Sequence, residues 1–367
     1  MTTDVTDIGV GTIRQGIIGG GFMARVHAGA GRTAGAALTA VATSTADGAA
    51  RAAHSLGARR SAEALALVAA GDVDVVHICT PNATHAALAT AALAAGKHVV
   101  CEKPLATTAA AARVLAAAAD EAGVVAAVPF VYRYHPMVRE ARARIARGDI
   151  GALLSIDCAY LQDWLLQPGD DDWRADADAG GPSRAFADIG SHLCDLVEFV
   201  AGEPIVRLAA RTRRVFDERG GRAVANEDIA AVLFETASGA LGTALVSQMA
   251  AGRKNALTLE VHGSARSLAF AQERPEELWV GDRAGSQLLL RDPATGAPDA
   301  VRLQTVPAGH PMGYVDAFAA FVADVYSAVR GEDVDGLPTF ADGLRAAVLT
   351  EAVLESARMR EWVEVAP

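Results

Sequence analysis

The sequence predicts two domains, an N-terminal α/β domain with a parallel sheet and a C-terminal α+β domain with a mainly antiparallel sheet. The chain has 367 residues, more than one ordinary hydrophobic core holds. Residues 13–129 alternate short apolar strands with helical segments, as in a parallel sheet covered on both faces. From residue 153 most segments are strands joined by short turns. We place the domains at 10–130 and 131–367.

The elements of the first domain are bounded by residues that start or stop helices. Strands are predicted over 13–19, 38–43, 73–80, 98–101 and 124–130, with helices between them over 22–31, 47–56, 83–95 and 107–122. Asp47 is the expected cap of the second helix, and Gly96 and Gly123 close the third and fourth.

The second domain opens with a helix and continues mostly as strands. The helix is predicted over 136–147, and the strands over 153–160, 205–216, 228–234, 241–249, 257–262 and 267–270. One clear helix, 191–200, interrupts them, and helices over 314–329 and 340–360 end the chain. Strands joined by short polar turns pair with their neighbours, so we expect an antiparallel sheet.

Charge and cysteine content exclude several classes of function. The net charge of -11 repels nucleic acid and anionic lipid, so neither is expected as a partner. No apolar run approaches the roughly 18 residues of a membrane span, and the first ten residues carry no basic group, unlike a signal peptide. The four cysteines form no CxxC pair, which favours buried thiols in a reducing cytoplasm and no metal site.

The first strand runs into a glycine-rich turn, GGGFMA, that opens the first helix. Gly19 permits the tight turn, Gly21 lets a pyrophosphate approach the backbone, and Ala24 allows close helix packing. The helix N-terminus then offers amide donors to the anion. This placement predicts a Rossmann dinucleotide site, to which Phe22 and Met23 also belong.

The second strand lacks the terminal acidic residue that would bind the ribose hydroxyls of NAD. It ends instead in Thr43, Ser44 and Thr45. A carboxylate there would repel the 2'-phosphate of NADP, whereas hydroxyl groups tolerate it. We therefore expect NAD or NADP as cofactor, with NADP usable. The preference stays open, because no arginine follows immediately and the direction of Arg51 in the next helix is not fixed by sequence.

Two further strand ends lie where topology places the dinucleotide, since ligands of doubly wound sheets bind at the carboxyl ends of strands. Lys103 follows one of them and is one of only three lysines among 33 basic residues. Lysine, unlike arginine, can release its proton, so Lys103 is a catalytic candidate. The predicted cofactor residues of this region are Thr80, Pro81, Asn82, His85, Glu102 and Lys103.

The helix that begins near Asp188 carries a second candidate group. Asp188, His192 and Asp195 lie at positions i, i+4 and i+7 and so share one helix face. A carboxylate one turn from an imidazole can orient it and raise its basicity, as a general base requires. The alternative is a capping aspartate beside a structural histidine, and this motif alone does not decide between them.

With these motifs, the sequence resembles the glucose-fructose oxidoreductase and inositol dehydrogenase (Gfo/Idh/MocA) family. The stretches that match are GIIGGGFMARVHA, VVHICTPNATHAALATAALAAGKHVVCEKPLA and DIGSHLCDL. The resemblance implies a Rossmann domain and a C-terminal domain with a large open sheet, often buried in a homodimer or homotetramer. It implies NAD(P)-dependent interconversion of a secondary alcohol and a ketone on a sugar, glycoside or cyclitol. Lys103, Asp188 and His192 match the family's catalytic positions.

The stretches AYLQDW and DWR resemble family members that oxidise pyranosides or anhydrosugars such as levoglucosan. Aromatic faces stack on sugar C-H surfaces, while glutamine, aspartate and arginine bond hydroxyl groups. The alternative is that the tryptophans only pack a loop. The predicted substrate-binding residues are Tyr132, Arg133, Tyr160, Gln162, Trp164, Trp173 and Arg174.

Two departures from the family pattern bear on the pocket. The run FVYR replaces a frequent FNYR, and SRAF at 183–186 replaces a glycine-rich run, which we expect to narrow the pocket. Three rival functions stay open: a dehydrogenase for a non-sugar alcohol or diol, an antibiotic-pathway ketosugar reductase, and a non-catalytic regulator that senses the dinucleotide. The presence of both Lys103 and His192 favours an enzyme over a regulator.

Overall fold

The structure is a computed structural model that describes residues 11–366. Residues 1–10, which we expect to precede the first strand, lie outside this range together with Pro367. A six-stranded sheet, a nine-stranded sheet and a two-stranded ribbon organise the described chain. None of its helices combines the length and the apolar character needed to cross a membrane.

The N-terminal sheet is parallel throughout, in the order β3-β2-β1-β4-β5-β6. Its strands are β1 (Arg14–Ile18), β2 (Ala37–Ala42), β3 (Arg60–Ala62), β4 (Val75–Ile78), β5 (His98–Cys101) and β6 (Ala126–Ala127). The helices are α1 (Phe22–Thr33), α2 (Ala46–Leu56), α3 (Ala64–Ala69), α4 (His85–Ala94) and α5 (Ala109–Ala122). The predicted Rossmann arrangement is confirmed, and strand order reverses between β1 and β4, where such sheets bind ligands.

Local differences from the predicted elements have identifiable causes. Thr45 caps α2 in place of the expected Asp47, because its hydroxyl accepts a hydrogen bond from the backbone N–H of Gly48 at 3.1 Å. The strand predicted over 124–130 shrinks to β6, because the N–H of Val128 donates to the carbonyl of Pro338, which belongs to a later segment. The short β3 and α3 were not predicted, since so few residues show no clear period.

The C-terminal sheet runs β16-β15-β14-β13-β7-β12-β11-β8-β17 and is antiparallel except for the pair β7 and β12. Its first strands and the helices among them are α6 (Pro136–Ala146), β7 (Leu153–Leu161), α7 (Ala177–Gly180), α8 (Ser191–Ala201) and β8 (Ile205–Arg213). The ribbon is β9 (Glu218–Arg219) with β10 (Arg222–Ala223). The remaining elements are β11 (Ile229–Thr236), β12 (Leu241–Ser247), β13 (Ala256–Gly263), β14 (Ser267–Ala271), β15 (Glu277–Asp282), β16 (Gly285–Leu290), α9 (Pro298–Arg302), α10 (Tyr314–Val329), α11 (Phe340–Met359) and β17 (Val363–Glu364). The predicted α+β class is confirmed, although β15, β16 and β17 were not predicted.

The two faces of the nine-stranded sheet differ. Along β11 and β12, buried and exposed residues alternate, so one face packs inward. Val246 on that face and Leu193 of α8 belong to one buried cluster. On the opposite face, Leu233, Leu241 and Leu245 remain 52%, 58% and 44% exposed. Several large apolar side chains therefore face solvent on this surface of the chain.

The last two long helices return to the N-terminal sheet. Phe318 and Phe321 of α10 lie in a buried cluster with Val75 and Val100 of the parallel strands. Helix α11 contributes to both cores: its N-terminal half joins the cluster of β4 and β5, and its C-terminal half joins that of the nine-stranded sheet. Residues well beyond position 131 thus complete the core around the first sheet.

Arg184 does not produce the expected narrowing of the pocket, because its side chain is directed into the protein interior. Arg184 and Arg219 are both fully buried, and both pair with the buried carboxylate of Asp228. The second oxygen of Asp228 accepts the backbone N–H of Val215 at 2.6 Å. This cluster ties the segment before α8 to the start of β11.

Replacing Asp228 with asparagine should lower the free energy of unfolding by about 3–5 kcal/mol, because it leaves two buried guanidinium groups without a counter-charge. Urea denaturation followed by circular dichroism measures the change. Asp217→Asn is the matched control, since the Asp217 carboxylate is 87% exposed and pairs with Arg214 at the surface. Similar, small losses in both variants would show that the buried cluster does not stabilise the fold.

Candidate active site

A cleft of about 970 Å³ lies at the carboxyl ends of β1, β2, β4 and β5. Its lining includes every residue predicted to bind cofactor except His85, namely Gly19, Gly21, Phe22, Met23, Thr43, Ser44, Thr80, Pro81, Asn82, Glu102 and Lys103. His85 is buried behind the lining, where its two ring nitrogens lie 2.8 Å from the Pro104 carbonyl and 2.9 Å from the Thr80 carbonyl. It therefore links the two loops that follow β4 and β5.

The glycine-rich turn has the features that a bound pyrophosphate requires. Gly19 has a φ of +131°, and a Cβ there would lie 2.5 Å from the carbonyl oxygen of Cys79. Gly21 begins α1 with no side-chain cap, no acidic residue follows in the first turn, and a Cβ at Gly21 would meet nothing within 4 Å. An open, uncapped helix N-terminus beside the cleft fits an anionic dinucleotide.

Lys103 and Asp188 meet at the inner end of the cleft. The Lys103 ammonium donates to the Asp188 carboxylate at 2.5 Å and to its backbone carbonyl at 2.9 Å. Gln248 Nε2 donates to the other carboxylate oxygen at 2.9 Å, and Arg174 Nε lies 3.3 Å from the first. Burial alone would raise the pKa of Asp188, but the positive charges of Lys103 and Arg174 hold it well below its ordinary range. Asp188 is thus a fixed anion at neutral pH.

His192 lies beside this ion pair as a neutral imidazole. Its ring packs edge-on against Phe130 and Tyr132, with centroids 5.6 and 5.1 Å apart. Burial, reinforced by the positive charge of Lys103, lowers the pKa of His192 to about 3. Within the described chain, its buried Nδ1 has no hydrogen-bond partner. A neutral, unpartnered ring nitrogen can accept a proton.

The prediction that Asp188 or Asp195 orients His192 is not supported by the geometry. A π-helical stretch, Phe186–Gly190, precedes α8, so Asp188 is not one α-helical turn from His192 and instead turns toward Lys103. Asp195 is engaged by Arg133. His192 is held by aromatic packing rather than by a carboxylate.

Arg133, a predicted substrate residue, does not reach Lys103, Asp188 and His192. Its guanidinium pairs with Asp195 and, at 2.6 Å, with Asp342 of α11. It also lies over the ring of Phe199, 4.9 Å from the centroid. The buried carboxylate of Asp195 and the half-buried one of Asp342, which sequence could not place nearby, hold this arginine in the interior.

Four other predicted substrate residues form one hydrogen-bonded group around Asn255. The Tyr160 hydroxyl and Gln162 Nε2 donate to Asn255 Oδ1 at 2.6 and 2.9 Å. Asn255 Nδ2 donates to the Tyr132 hydroxyl at 3.2 Å, and the two tyrosine hydroxyls also bond each other. Trp164 Nε1 donates to Gln162 Oε1 at 2.7 Å. Tyr132 joins this group to His192 through ring packing.

The remaining predicted substrate residues line the cleft itself. Trp173 and Arg174 both contribute to its wall, with the guanidinium 4.4 Å from the indole centroid.

Sequence reasoning missed Gln248 and Asn255, because each is an isolated amide residue at the edge of a strand and belongs to no motif. Within residues 11–366, no group of three or more histidine, cysteine, aspartate or glutamate side chains is arranged to hold a metal ion.

A second pocket of about 400 Å³ adjoins the outer end of the cleft. It shares Thr43 and Ser44 with the cleft and adds Thr45 and Glu63, the residue before α3. Among the described residues, neither a lysine nor an arginine lines this pocket, so Arg51 does not reach it. The acidic residue missing at the end of β2 has a counterpart in Glu63, which follows the neighbouring strand β3.

Comparisons with known proteins agree with this geometry. The profile of an oxidoreductase family with an NAD-binding Rossmann fold matches residues 13–130, and that of the Gfo/Idh/MocA C-terminal domain matches 138–269. A levoglucosan dehydrogenase of Pseudarthrobacter phenanthrenivorans is 32% identical over 96% of this chain and 98% of its own.

Solved structures show the same similarity. An oxidoreductase domain protein from Kribbella flavida is 36% identical, with a TM-score of 0.90 over 97% of this chain and 100% of its own. A levoglucosan dehydrogenase complexed with NADH and levoglucosan is 32% identical, with a TM-score of 0.91 over 97% and 99%. These matches confirm the predicted class of enzyme, an NAD(P)-dependent dehydrogenase that acts on CH-OH groups. The chain belongs to the Gfo/Idh/MocA family of oxidoreductases.

Proposed function

We propose that this enzyme interconverts a secondary alcohol and a ketone on a sugar, glycoside or cyclitol, with NAD as hydride carrier. The observation that carries the proposal is the buried Lys103–Asp188 pair beside a neutral His192, at the inner end of a cleft that fits a dinucleotide. Relatives named for levoglucosan and for inositol support the substrate class. The two catalytic candidates, Lys103 and His192, are both present, which favours an enzyme over a non-catalytic regulator.

Each side chain of the inner group has a distinct role in this proposal. Gly19, Gly21 and the open N-terminus of α1 would hold the dinucleotide, which would supply the hydride acceptor for the alcohol carbon. The neutral imidazole of His192 takes the hydroxyl proton, and the Lys103 ammonium stabilises the negative charge that develops on the same oxygen. Asp188, kept ionised by Lys103 and Arg174, holds the ammonium in place. The alternative assignment exchanges the two roles: an uncharged Lys103 takes the hydroxyl proton, and His192 donates a hydrogen bond to the same oxygen.

The substrate pocket is built for a polyhydroxylated ring. Hydroxyl and amide groups of Tyr132, Tyr160 and Asn255 satisfy one another, so their positions are fixed before substrate arrives. Trp164 is 37% exposed and presents an aromatic face at the edge of this group. A kinetic screen of anhydrosugars, pyranosides and inositols against simple alcohols and diols separates the proposed class from non-sugar alternatives.

Lys103→Ala and His192→Ala should each lower turnover of the best substrate in that screen by roughly 10²- to 10⁴-fold, the usual contribution of a general acid or base. NADH binding, followed by fluorescence titration, should persist in both. Lys97→Ala is a matched control, because Lys97 precedes β5 whereas Lys103 follows it. The Lys97 ammonium donates to two backbone carbonyls, at 2.8 Å each. Near-normal turnover in either test variant would remove that residue from the mechanism.

We further propose that the enzyme prefers NAD to NADP, against the tolerance of NADP that the threonine-rich strand end led us to expect. Glu63 lies in the same pocket lining as Thr43 and Ser44, and its carboxylate repels a 2'-phosphate. Thr43 does not offer its hydroxyl proton, since Oγ1 donates to the Thr45 carbonyl at 3.0 Å. Local charge thus favours the less anionic cofactor.

Glu63→Gln should raise kcat/KM with NADP by roughly two- to fivefold, the size of one exposed charge interaction, and change the value with NAD much less. Steady-state kinetics with both cofactors at low salt measures the ratio. Glu121→Gln, which removes an exposed acid from α5, controls for overall charge. A cofactor ratio that responds equally to both substitutions would assign Glu63 no role in selection.

We also propose that the enzyme is a cytoplasmic homo-oligomer, a dimer or tetramer. Its cysteines, Cys79, Cys101, Cys158 and Cys194, are free thiols, which suits a reducing compartment. The exposed leucines of β11 and β12 form an apolar surface that a second copy would cover. This surface lies on one face of the nine-stranded sheet and includes a depression of about 640 Å³ lined by residues of β7, β8, β11 and β12. A second copy that presents the same face could cover it across a two-fold axis.

Leu245→Asp, on that surface, should shift the mass measured by light scattering toward the 37.8 kDa of one chain. The charged side chain would be buried without a partner in the interface. Leu65→Asp provides the control, because Leu65 is 65% exposed on α3, away from the nine-stranded sheet. An unchanged mass for Leu245→Asp would place the interface elsewhere.

A further inference from the structure

A row of four buried polar side chains runs behind the cofactor cleft: His27 of α1, His77 of β4, Glu102 after β5 and Tyr326 of α10. Glu102 Oε1 lies 3.0 Å from His27 Nε2, and the Nδ1 atoms of the two histidines lie 2.8 Å apart. The Tyr326 hydroxyl lies 3.2 Å from His77 Nε2. Only Glu102 also lines the cleft.

The far end of the row determines the state of His27. The Tyr326 hydroxyl is fully buried, and among the described residues it makes one hydrogen bond, to His77 Nε2 at 3.2 Å, so it donates to that nitrogen. Burial lowers the pKa of His77 well below its ordinary value, so His77 is neutral and carries its proton on Nδ1. His27 Nδ1 must then accept that proton's hydrogen bond, which leaves His27 neutral with its own proton on Nε2. Burial favours the neutral form of Glu102, but the hydrogen bond from His27 and the charge of Lys103 lower its pKa below the ordinary value. A carboxylate facing a neutral imidazole is the consistent pair.

These states fix every proton along the row. An ionised Glu102 only accepts, so neutral His27 donates from Nε2 and must accept at Nδ1. His77 therefore donates from Nδ1, and its Nε2 accepts from the hydroxyl of Tyr326. Each residue in the row thus determines the tautomer of the next, starting from α10 and ending at the cleft.

We propose that His27 is a positioning residue that holds the Glu102 carboxylate in one orientation against the bound dinucleotide, and that His77 and Tyr326 fix the tautomer with which it does so. The proposal rests on the proposed function in one respect, that Glu102 contacts the cofactor. The second oxygen of Glu102 accepts the backbone N–H of Lys103 at 3.2 Å. Two donors on different elements therefore hold this carboxylate at the nicotinamide end of the cleft.

The row does not release protons to solvent. Its far end, Tyr326, is fully buried, and Phe318 packs edge-on against the His27 ring with centroids 4.8 Å apart. A proton passed from Glu102 along the row would stop inside the core between α1 and α10. Orientation of Glu102 is the role that this geometry supports.

Two isosteric substitutions at His27 separate positioning from packing. The amide nitrogen of glutamine reaches the place of Nε2, whereas that of asparagine reaches only the place of Nδ1. His27→Asn should therefore weaken NADH binding by roughly tenfold, the size of a lost hydrogen bond to a charged group, and His27→Gln by less than twofold. Fluorescence titration gives the dissociation constants, and thermal melts should fall by similar amounts in both. Equal loss of NADH affinity in the two variants would overturn the proposal.

Nitrogen-15 NMR of the cofactor-free wild-type protein tests the row even where a variant does not fold. The expected spectrum has neutral His27 protonated on Nε2 and neutral His77 protonated on Nδ1, and Tyr326→Phe should remove the tautomer preference of His77. A protonated His27, or one with its proton on Nδ1, would overturn the proposal. If the tautomers are as expected but wild-type protein fails to bind NADH, the proposed cofactor site fails and the row stands.

Discussion

The ion pair between Lys103 and Asp188 is the interaction on which the site depends, because it joins the two domains where the chemistry is proposed to occur. Lys103 follows the parallel strand β5, and Asp188 lies in the π-helical stretch before α8. Gln248, at the end of β12, reaches the same carboxylate. One buried anion therefore gathers a cation from the dinucleotide domain and a donor from the nine-stranded sheet. Breaking this contact would leave the Lys103 ammonium without the carboxylate that holds it.

The site divides into residues that topology determines and residues that tertiary pairing determines. The glycine turn and Lys103 were predictable because the carboxyl ends of parallel strands meet at one edge of the sheet, whichever side chains cover it. The fold class and the long helices were predictable for a similar reason, since their hydrophobic period is strong. Gln248 was not, because β12 pairs with β7, which is distant in sequence, and Glu63 was not, because the strand before it, β3, is too short to show a period. Helical spacing placed Asp188, His192 and Asp195 on one face, and the π-helical stretch and the competing Arg133 altered that arrangement.

Neutral histidines and paired ions share the buried space around the cleft in a consistent way. Burial lowers the pKa of His77 and His192, and both remain uncharged where hydrogen bonding or proton transfer needs a lone pair. The charged groups nearby occur in opposite pairs. His192 packs against aromatic rings with no carboxylate attached, so burial and the charge of Lys103 set its basicity.

The contribution of α11 to both cores has a consequence for biosynthesis. Its N-terminal half packs in the cluster that surrounds β4 and β5, although more than two hundred residues separate them in sequence. During translation the parallel strands emerge long before this helix, and their apolar surface stays incompletely covered until residues near 350 have left the ribosome. The core around the parallel strands is therefore complete only once α11 has been synthesised, so the two domains do not fold independently in the order of their synthesis.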